Sequence, residues 1–316
     1  MRLHYVAALA ILVPSISYAD SLTYDTTIFN TNFVTGAVGM RDTGSGNLVI
    51  GGVPAGATVT RTNLYWHGPT NSSNLSSNAS VTVAGQAVTG TNIGFAHDNF
   101  WGYANSQSYQ ANVTSAINGN GTYALSNFTK PDSNVNGAAA FVFYDGGSSA
   151  GKEDVILYHG NDSNFASPTD PAGWDFTAGN IDYNGGEASL TLYVSDGQNF
   201  SSFDDGTLTI NGQALASGGI FQGVAPGQNV GNGTLTDIVV YDLTPYLVPG
   251  INSLNIRLDA GFNDALSLVA AAFAVPAGAA PPTQAPVPEP GTLSLVGLAL
   301  VAAGACRARF ARSMAS

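Results

Sequence analysis

Along most of this chain, apolar and polar positions alternate in short runs, and the runs are broken by glycine and asparagine. Val81-Thr82-Val83 and Leu208-Thr209-Ile210 follow a period of two, which puts one side of each run on a buried sheet face. Ala84-Gly85 and Asn211-Gly212 follow directly, and Asn-Gly is the favoured pair for a two-residue hairpin turn because both positions need positive φ. Leu64-Tyr65-Trp66 and residues 190–194 read as strands whose aromatics cover a sheet face. Residues 138–144 and 266–275 are almost wholly apolar. Continuous apolarity over that length predicts strands buried on both faces or lying between two domains. Asn112-Val113-Thr114 and Asp242-Leu243-Thr244-Pro245 each place a side-chain oxygen where it can cap a single helical turn.

These segments recur in one order. Asn63-Leu64-Tyr65-Trp66, Val83 to Val88, Asn112-Val113-Thr114 and Ala138 to Val142 are followed by Thr191-Leu192-Tyr193-Val194, Ile210 to Leu215, Asp242-Leu243-Thr244 and Ala270 to Ala274, displaced by 127 to 132 residues. The near-constant displacement predicts an internal duplication. The expected fold is all-β, with two related antiparallel β-sandwich units, residues 20–147 and 148–276, and the two could share a core. Residues 277–286, rich in Pro and Ala, read as an extended, semi-rigid linker. Thirty-eight glycines and 9% charged residues agree with turns and strands rather than helices. The Asp242-Leu243-Thr244-Pro245-Tyr246-Leu247 stretch with the following Pro249-Gly250-Ile251-Asn252 is similar to a strand-crossing feature of jelly-roll sandwiches that also recurs in galactose-binding-like modules. That likeness implies a jelly-roll-like sandwich and supplies no sugar site.

Both ends of the chain read as addresses. Arg2, a short apolar run over residues 5–13 and Ser17-Tyr18-Ala19 form a secretory signal peptide, residues 1–19, cut by signal peptidase between Ala19 and Asp20. At the other end, Val287-Pro288-Glu289-Pro290 precedes an apolar run over residues 292–306 and then Arg307, Arg309 and Arg312. As a helix that run is about 22 Å long, thin for a bilayer core of about 30 Å. The arginines suit the cytoplasmic side of the membrane. Residues 287–312 resemble the PEP-CTERM sorting signal of Gram-negative bacteria, with the arginine cluster interrupted by Ala308 and Phe310. The resemblance implies an inner-membrane-anchored precursor, processed by an exosortase and passed to the outer surface or beyond. It also implies bacteria that make extracellular polysaccharide. The lone cysteine, Cys306, lies in this tail, so disulfides do not stabilise the exported part.

Charge narrows the partners. All 21 acidic residues lie between Asp20 and Glu289, where only Arg41, Arg61, Lys130, Lys152 and Arg257 are basic, a net of −16 (5 − 21). So acidic a surface argues against nucleic acid and anionic lipid.

Few motifs carry chemistry. Gly146-Gly147-Ser148-Ser149-Ala150-Gly151-Lys152 approaches a phosphate-binding loop, but Glu153 replaces the required hydroxyl and a strand-like run follows. The same glycines and serines match a nucleophile elbow without the helix it needs. His67, His97 and His159 have no metal-ligand spacing, although Asp98 and Asp162 could join them in space. Asp132, Asn134 and Asn136 match the start of a calcium loop whose bidentate twelfth position is Phe143 rather than Glu. Asp162, Asn164 and Asp170, or Asp196, Asp204 and Asp205, are further carboxylate loops. Trp101 and Trp174, in Gly/Asn/Asp-rich surroundings, are candidates to stack sugars together with Tyr103 and Tyr109, whereas Trp66 reads as core. The sequence thus predicts an exported, non-catalytic structural or adhesive protein of the cell surface or matrix. The alternative is a carbohydrate-binding module, with calcium as its only candidate cofactor.

Overall fold

A computed structural model describes residues 21–97, 102–146, 151–165, 172–200, 204–259 and 265–278, and the signal peptide, the linker beyond residue 278 and the sorting tail lie outside them. The first half supplies β1 (Thr23–Gly39), β2 (Gly46–Ile50), β3 (Thr58–Thr70), β4 (Ser80–Val83), β5 (Gln86–Thr89), β6 (Thr91–Ala96), β7 (Asn105–Asn112), β8 (Gly121–Ser126) and β9 (Gly137–Asp145). The second supplies β10 (Glu153–Ser163), β11 (Gly173–Tyr183), β12 (Ser189–Ser195), β13 (Thr207–Ile210), β14 (Gln213–Ser217), β15 (Thr236–Asp242), β16 (Gly250–Asp259) and β17 (Ser267–Pro276). The protein is all-β and its sheets are antiparallel, as the alternation predicts.

The strands follow one plan twice. A nine-stranded sheet runs β15-β12-β17-β10-β1-β9-β3-β7-β6, and two four-stranded sheets run β2-β8-β4-β5 and β11-β16-β13-β14. Read from the middle, β1-β9-β3-β7 in the first half corresponds to β10-β17-β12-β15 in the second. The small sheets correspond strand for strand, and β6 is an addition to the first half. All four repeated segments of the sequence fall on equivalent elements: β3 and β12, the β4–β5 and β13–β14 hairpins, the turns after β7 and β15, and β9 and β17. The hairpins use the expected turn, with Ala84 and Gly85 at φ 49° and 79° and Asn211 and Gly212 at 50° and 76°. The turns after β7 and β15 also match: Asn112 Oδ1 accepts from the Thr114 amide at 3.1 Å and Asp242 Oδ1 from the Thr244 amide at 2.9 Å, although the 3-10 turn Thr244–Tyr246 has Leu243 as its N-cap, without a side-chain cap.

β1 ties the halves together. Thr23 to Thr31 pair with β10, and Asn32 to Gly39 pair with β9. The strand changes partner near Asn30, which sits at φ 54° with its amide donating to Asp154 Oδ1 at 2.8 Å. The nine-stranded sheet is therefore two segments that meet face to face, each backed by a small sheet. Three cores fill the spaces. Leu64, Trp66, Ala140 and Val142 pack against Leu48, Val81, Val83 and Leu125 in the first half. Leu190, Leu192, Phe273 and Val275 pack against Trp174, Phe176, Leu208 and Ile256 in the second. Between the halves lie Tyr65, Phe141, Phe143, Val155, Leu157, Tyr193 and the alanines 139, 270, 272 and 274.

This explains the two continuous apolar strands. In β9, Ala138, Ala140 and Val142 face the first core while Ala139, Phe141 and Phe143 face the shared one. β17 divides in the same way, with Ala271, Phe273 and Val275 on one face and Ala270, Ala272 and Ala274 on the other. Alanine on the shared face lets the backbones approach closely, and the bulk comes from Tyr65, Phe141, Phe143 and Tyr193. The Tyr193 hydroxyl crosses the seam and donates to the Gly137 carbonyl at 3.0 Å.

Candidate functional site

Toward one end the seam turns polar. His67 on β3 places Nδ1 2.7 Å from Ser195 Oγ at the end of β12, and Asn136 Nδ2 donates to the same oxygen at 3.1 Å. On β10, Asn161 donates to Ser106 Oγ on β7 at 3.0 Å. Gly94 allows that approach, because a Cβ there would lie 2.6 Å from Asn161 Cβ. Burial, followed by the field of Arg41, lowers the His67 pKa to about 3, so the imidazole is neutral at ordinary pH. His67 and Ser195 look like a base and a nucleophile, but both are fully buried. They face each other across the seam, closed off from solvent.

Above this pair the chain opens a cleft of about 270 Å³, to which both halves contribute. From the first half come Arg41, Asp42, Tyr103 and Asn134. From the second come Asp196, Gln198, Asn232, Val230 and Leu235. Gly39, at the end of β1, allows the 226–234 loop to cross it. Its amide donates to the Pro226 carbonyl at 2.9 Å, and a Cβ would stand 2.4 Å from the Thr234 carbonyl oxygen. Two residues on, Arg41 points across the cleft, Nη1 lying 3.7 Å from Asp196 Oδ1 and also donating to Asn136 Oδ1. Asp196 is buried and held at φ 75°, a backbone strain of the kind that clusters at binding sites. Its amide is fixed by the Leu235 carbonyl at 2.9 Å.

The remaining walls are held by amide side chains. Asn134 donates to Asp42 Oδ1 at 2.7 Å and accepts from the amides of Asp42 and Val135. Asn232 Nδ2 donates to Gln198 Oε1 at 2.6 Å. Half-buried Tyr103 supplies the aromatic surface. The result is a small concave site with an ion pair, fixed amides and one aromatic ring, which suits a neutral, hydroxyl-rich ligand. A larger groove of about 510 Å³, with Glu153, Glu187, Tyr241 and Asp242 on its walls, is lined by the second half alone and is acidic.

The sequence-derived candidates separate. Trp174 is not in a loop: it lies on β11, fully buried against Phe221 with ring centres 5.4 Å apart, and it cannot stack a sugar. Tyr109 is likewise buried, stacked on Trp66 at 5.5 Å. Trp101 lies outside the described residues, and Tyr103 reaches the cleft. In the calcium candidate, the Asn134 and Asn136 side-chain oxygens already accept protein donors, and Asp132 is exposed. Among the described residues, no three His, Cys, Asp or Glu side chains gather to hold a metal. The histidines have separate neighbours: Ser195 for His67, Asn105 for His97 and Asp25 for His159. Asp98 and Asp170 lie outside the described residues. Lys152 pairs with Asp145 at 2.9 Å and β10 follows it, which rules out a helix-borne phosphate loop. Arg41 and Asp42 were missed as site residues, and their signal was slight. Arg41 is one of only five basic residues in a strongly acidic stretch, and a rare cation needs a partner.

The comparisons with known proteins bear on the tail. The PEP-CTERM protein-sorting motif matches residues 286–309, so the chain carries this signal, which implies sorting by an exosortase and export. No curated protein matches the sequence. Among solved structures, the chain is similar to wild-type BuGH86 and to a point variant of it, both in complex with neoagarooctaose. Each match has 9% identity and a TM-score of 0.24, and covers 81% of this chain. The chain spans 34% of the length of each. At that score the likeness carries no argument about fold or function.

Proposed function

We propose that the protein is a non-catalytic component of the cell surface or extracellular matrix that holds polysaccharide through the cleft between its halves. The supporting observation is the cleft itself: Arg41 and Asp196 paired across it, Asn134, Gln198 and Asn232 fixed in its walls, and Tyr103 at its side. Planar polar side chains with an aromatic ring suit sugar hydroxyls and the apolar face of a pyranose. A volume of about 270 Å³ corresponds to roughly one or two sugar rings, below the usual size of a drug-binding pocket. Weak binding at one such site suits a matrix protein presented in many copies, where avidity supplies the hold. Export by the sorting tail would deliver the site to where polysaccharide accumulates.

The reading is tested with the full chain, solubilised in mild detergent, by affinity electrophoresis through gels containing matrix polysaccharide from the producing bacterium. Retardation of the wild type and its loss in Tyr103→Ala or Asn232→Ala is the expected result. Equal mobility of wild type and variants would remove the cleft as the binding site.

A further inference from the structure

β15 ends the nine-stranded sheet and pairs with β12 on one edge only. Its even-numbered residues turn their backbone groups away from β12. The Thr236 carbonyl accepts from the Ala225 amide at 3.0 Å, whereas the Leu243 amide donates back toward β12, to the Ala188 carbonyl at 2.9 Å. The register between these points has no bulge, so Ile238 and Val240 also aim their N–H and C=O groups outward. Among the described residues, no backbone group pairs with them there. Val240 is 63% exposed, so the edge is open to solvent. A free row of donors and acceptors is a template for another strand.

The acidic groove of about 510 Å³ runs beside the Asp242 end of this edge, where Val240 and Asp242 share its walls with Glu153 and Glu187. Among the described residues, neither glutamate has a hydrogen-bond or ion-pair partner. Burial raises the Glu153 pKa above the ordinary carboxylate value, a cost that a neighbouring cation would relieve. The folded chain has none to give. Arg41, Arg61, Lys152 and Arg257 each lie against an aspartate, and Lys130 donates to the Asn127 carbonyl. A second copy would bring the same engaged cations and a net charge of −16 (5 − 21) over residues 20–289, so it would be repelled.

We propose that β15 is a docking edge for a cationic, extended peptide segment of a protein partner, which adds to the sheet as a further strand and lays a lysine or arginine in the groove against Glu153 and Glu187. The backbone bonds supply the hold and the carboxylates select the side chain. The glycan-binding cleft lies at the other end of the strand, beside Leu235, and the two readings stand independently.

The probe is a fluorescent octapeptide of alternating lysine and threonine, with binding to the full chain in mild detergent followed by anisotropy. The same peptide with its backbone amides N-methylated keeps every charge and loses its donors, and it should bind about tenfold more weakly, the worth of one or two backbone bonds. Val240→Pro should cause a similar loss, because it removes an outward N–H and leaves the bonds to β12 intact. Glu153→Gln should weaken binding about threefold, the scale of a part-exposed charge pair. A glutamate–threonine octapeptide should not bind. Equal affinity for the methylated peptide, or an undiminished affinity in a folded Val240→Pro protein, would mean that the cation is held by charge alone and would overturn the strand docking. Unchanged affinity in Glu153→Gln, binding of the glutamate peptide, or no binding of the lysine peptide would overturn it as well.

Discussion

His67 and Ser195 face each other across the seam, Nδ1 to Oγ 2.7 Å apart, one from each half and both without solvent exposure. Ser195 directly precedes Asp196, and Asn136 bonds both Ser195 and Arg41, so the contacts that join the halves here are linked to the cleft wall. Whatever loosens the seam at this point should also deform the site.

Acid is one such agent. A free histidine titrates near 6.5, and burial lowers His67 to about 3. Below pH 6.5 the unfolded chain binds a proton that the folded chain refuses, so this group's contribution to stability falls as the pH drops from about 6.5 toward 3. The slope is about 1.4 kcal/mol per pH unit, with a ceiling of about 5 kcal/mol. Asp205 and Asp237 act in the opposite sense. Burial raises both, so their contribution grows as the pH falls through their folded values. Urea unfolding of the wild type and His67→Asn at pH 7, 6, 5 and 4 isolates the histidine. The stability difference should shrink steadily as the pH falls, and a constant difference would mean that the imidazole is not held neutral.

Gly39 tests the link between seam and cleft. A Cβ there would meet the Thr234 carbonyl oxygen at 2.4 Å and Thr234 Cβ at 2.6 Å, so Gly39→Ala must push the 226–234 loop away. The expected cost is about 1–3 kcal/mol, the range for an overpacked contact. Polysaccharide affinity should fall at temperatures where the variant is still folded, because Asn232 moves with the loop. Unchanged affinity in a folded Gly39→Ala protein would separate the loop from the site.

The sequence was informative where one physical rule acted alone. Alternation and turn chemistry located β4, β5, β13 and β14, and the alanine-rich runs announced strands buried on both faces because nothing else tolerates unbroken apolarity. Trp174 was misread because its neighbours Gly173 and Asp175 suggest a loop. Counting further along Trp174-Asp175-Phe176-Thr177-Ala178 gives strict alternation, and Trp174, Phe176 and Ala178 are the buried positions. Trp174→Phe should therefore cost about 1–3 kcal/mol in urea unfolding and leave glycan affinity unchanged. The cleft itself was hardly legible. Arg41 and Asp196 stand 155 positions apart in sequence, and only the docking of the halves brings them together.

The two hairpins make a controlled comparison. Ala84 and Asn211 occupy the same turn position at φ 49° and 50°, yet alanine tolerates the left-handed region poorly. Asn211 also accepts from the Asn255 amide at 2.8 Å and donates to the Ser253 carbonyl at 3.2 Å. Ala84→Asn should stabilise the protein by about 0.5–1 kcal/mol with an unchanged denaturant slope. Destabilisation would mean that the first hairpin relies on a different turn.

Asp237 holds the loop behind the cleft. Its Oδ2 accepts from the Gly223 amide at 2.8 Å and its Oδ1 from the Val224 amide at 3.0 Å, while Asp205 Oδ2 takes the amides of Ile220 and Phe221. Two buried carboxylates thus gather four backbone donors from one short stretch. Gly197 leaves room for this, since a Cβ there would lie 2.2 Å from Asp237 Oδ2. In Asp237→Asn an amide NH₂ must face one of the donors, leaving a buried N–H without an acceptor at a cost of about 1–3 kcal/mol. Hydrogen exchange should speed up at Gly223 and Val224 before it changes in β15 or β12. Glycan affinity should fall less than in Gly39→Ala, because Asn232 is anchored separately through Gln198 and the Asn199 amide. Protection factors unchanged at Gly223 and Val224 would show that those amides are held by something other than the carboxylate.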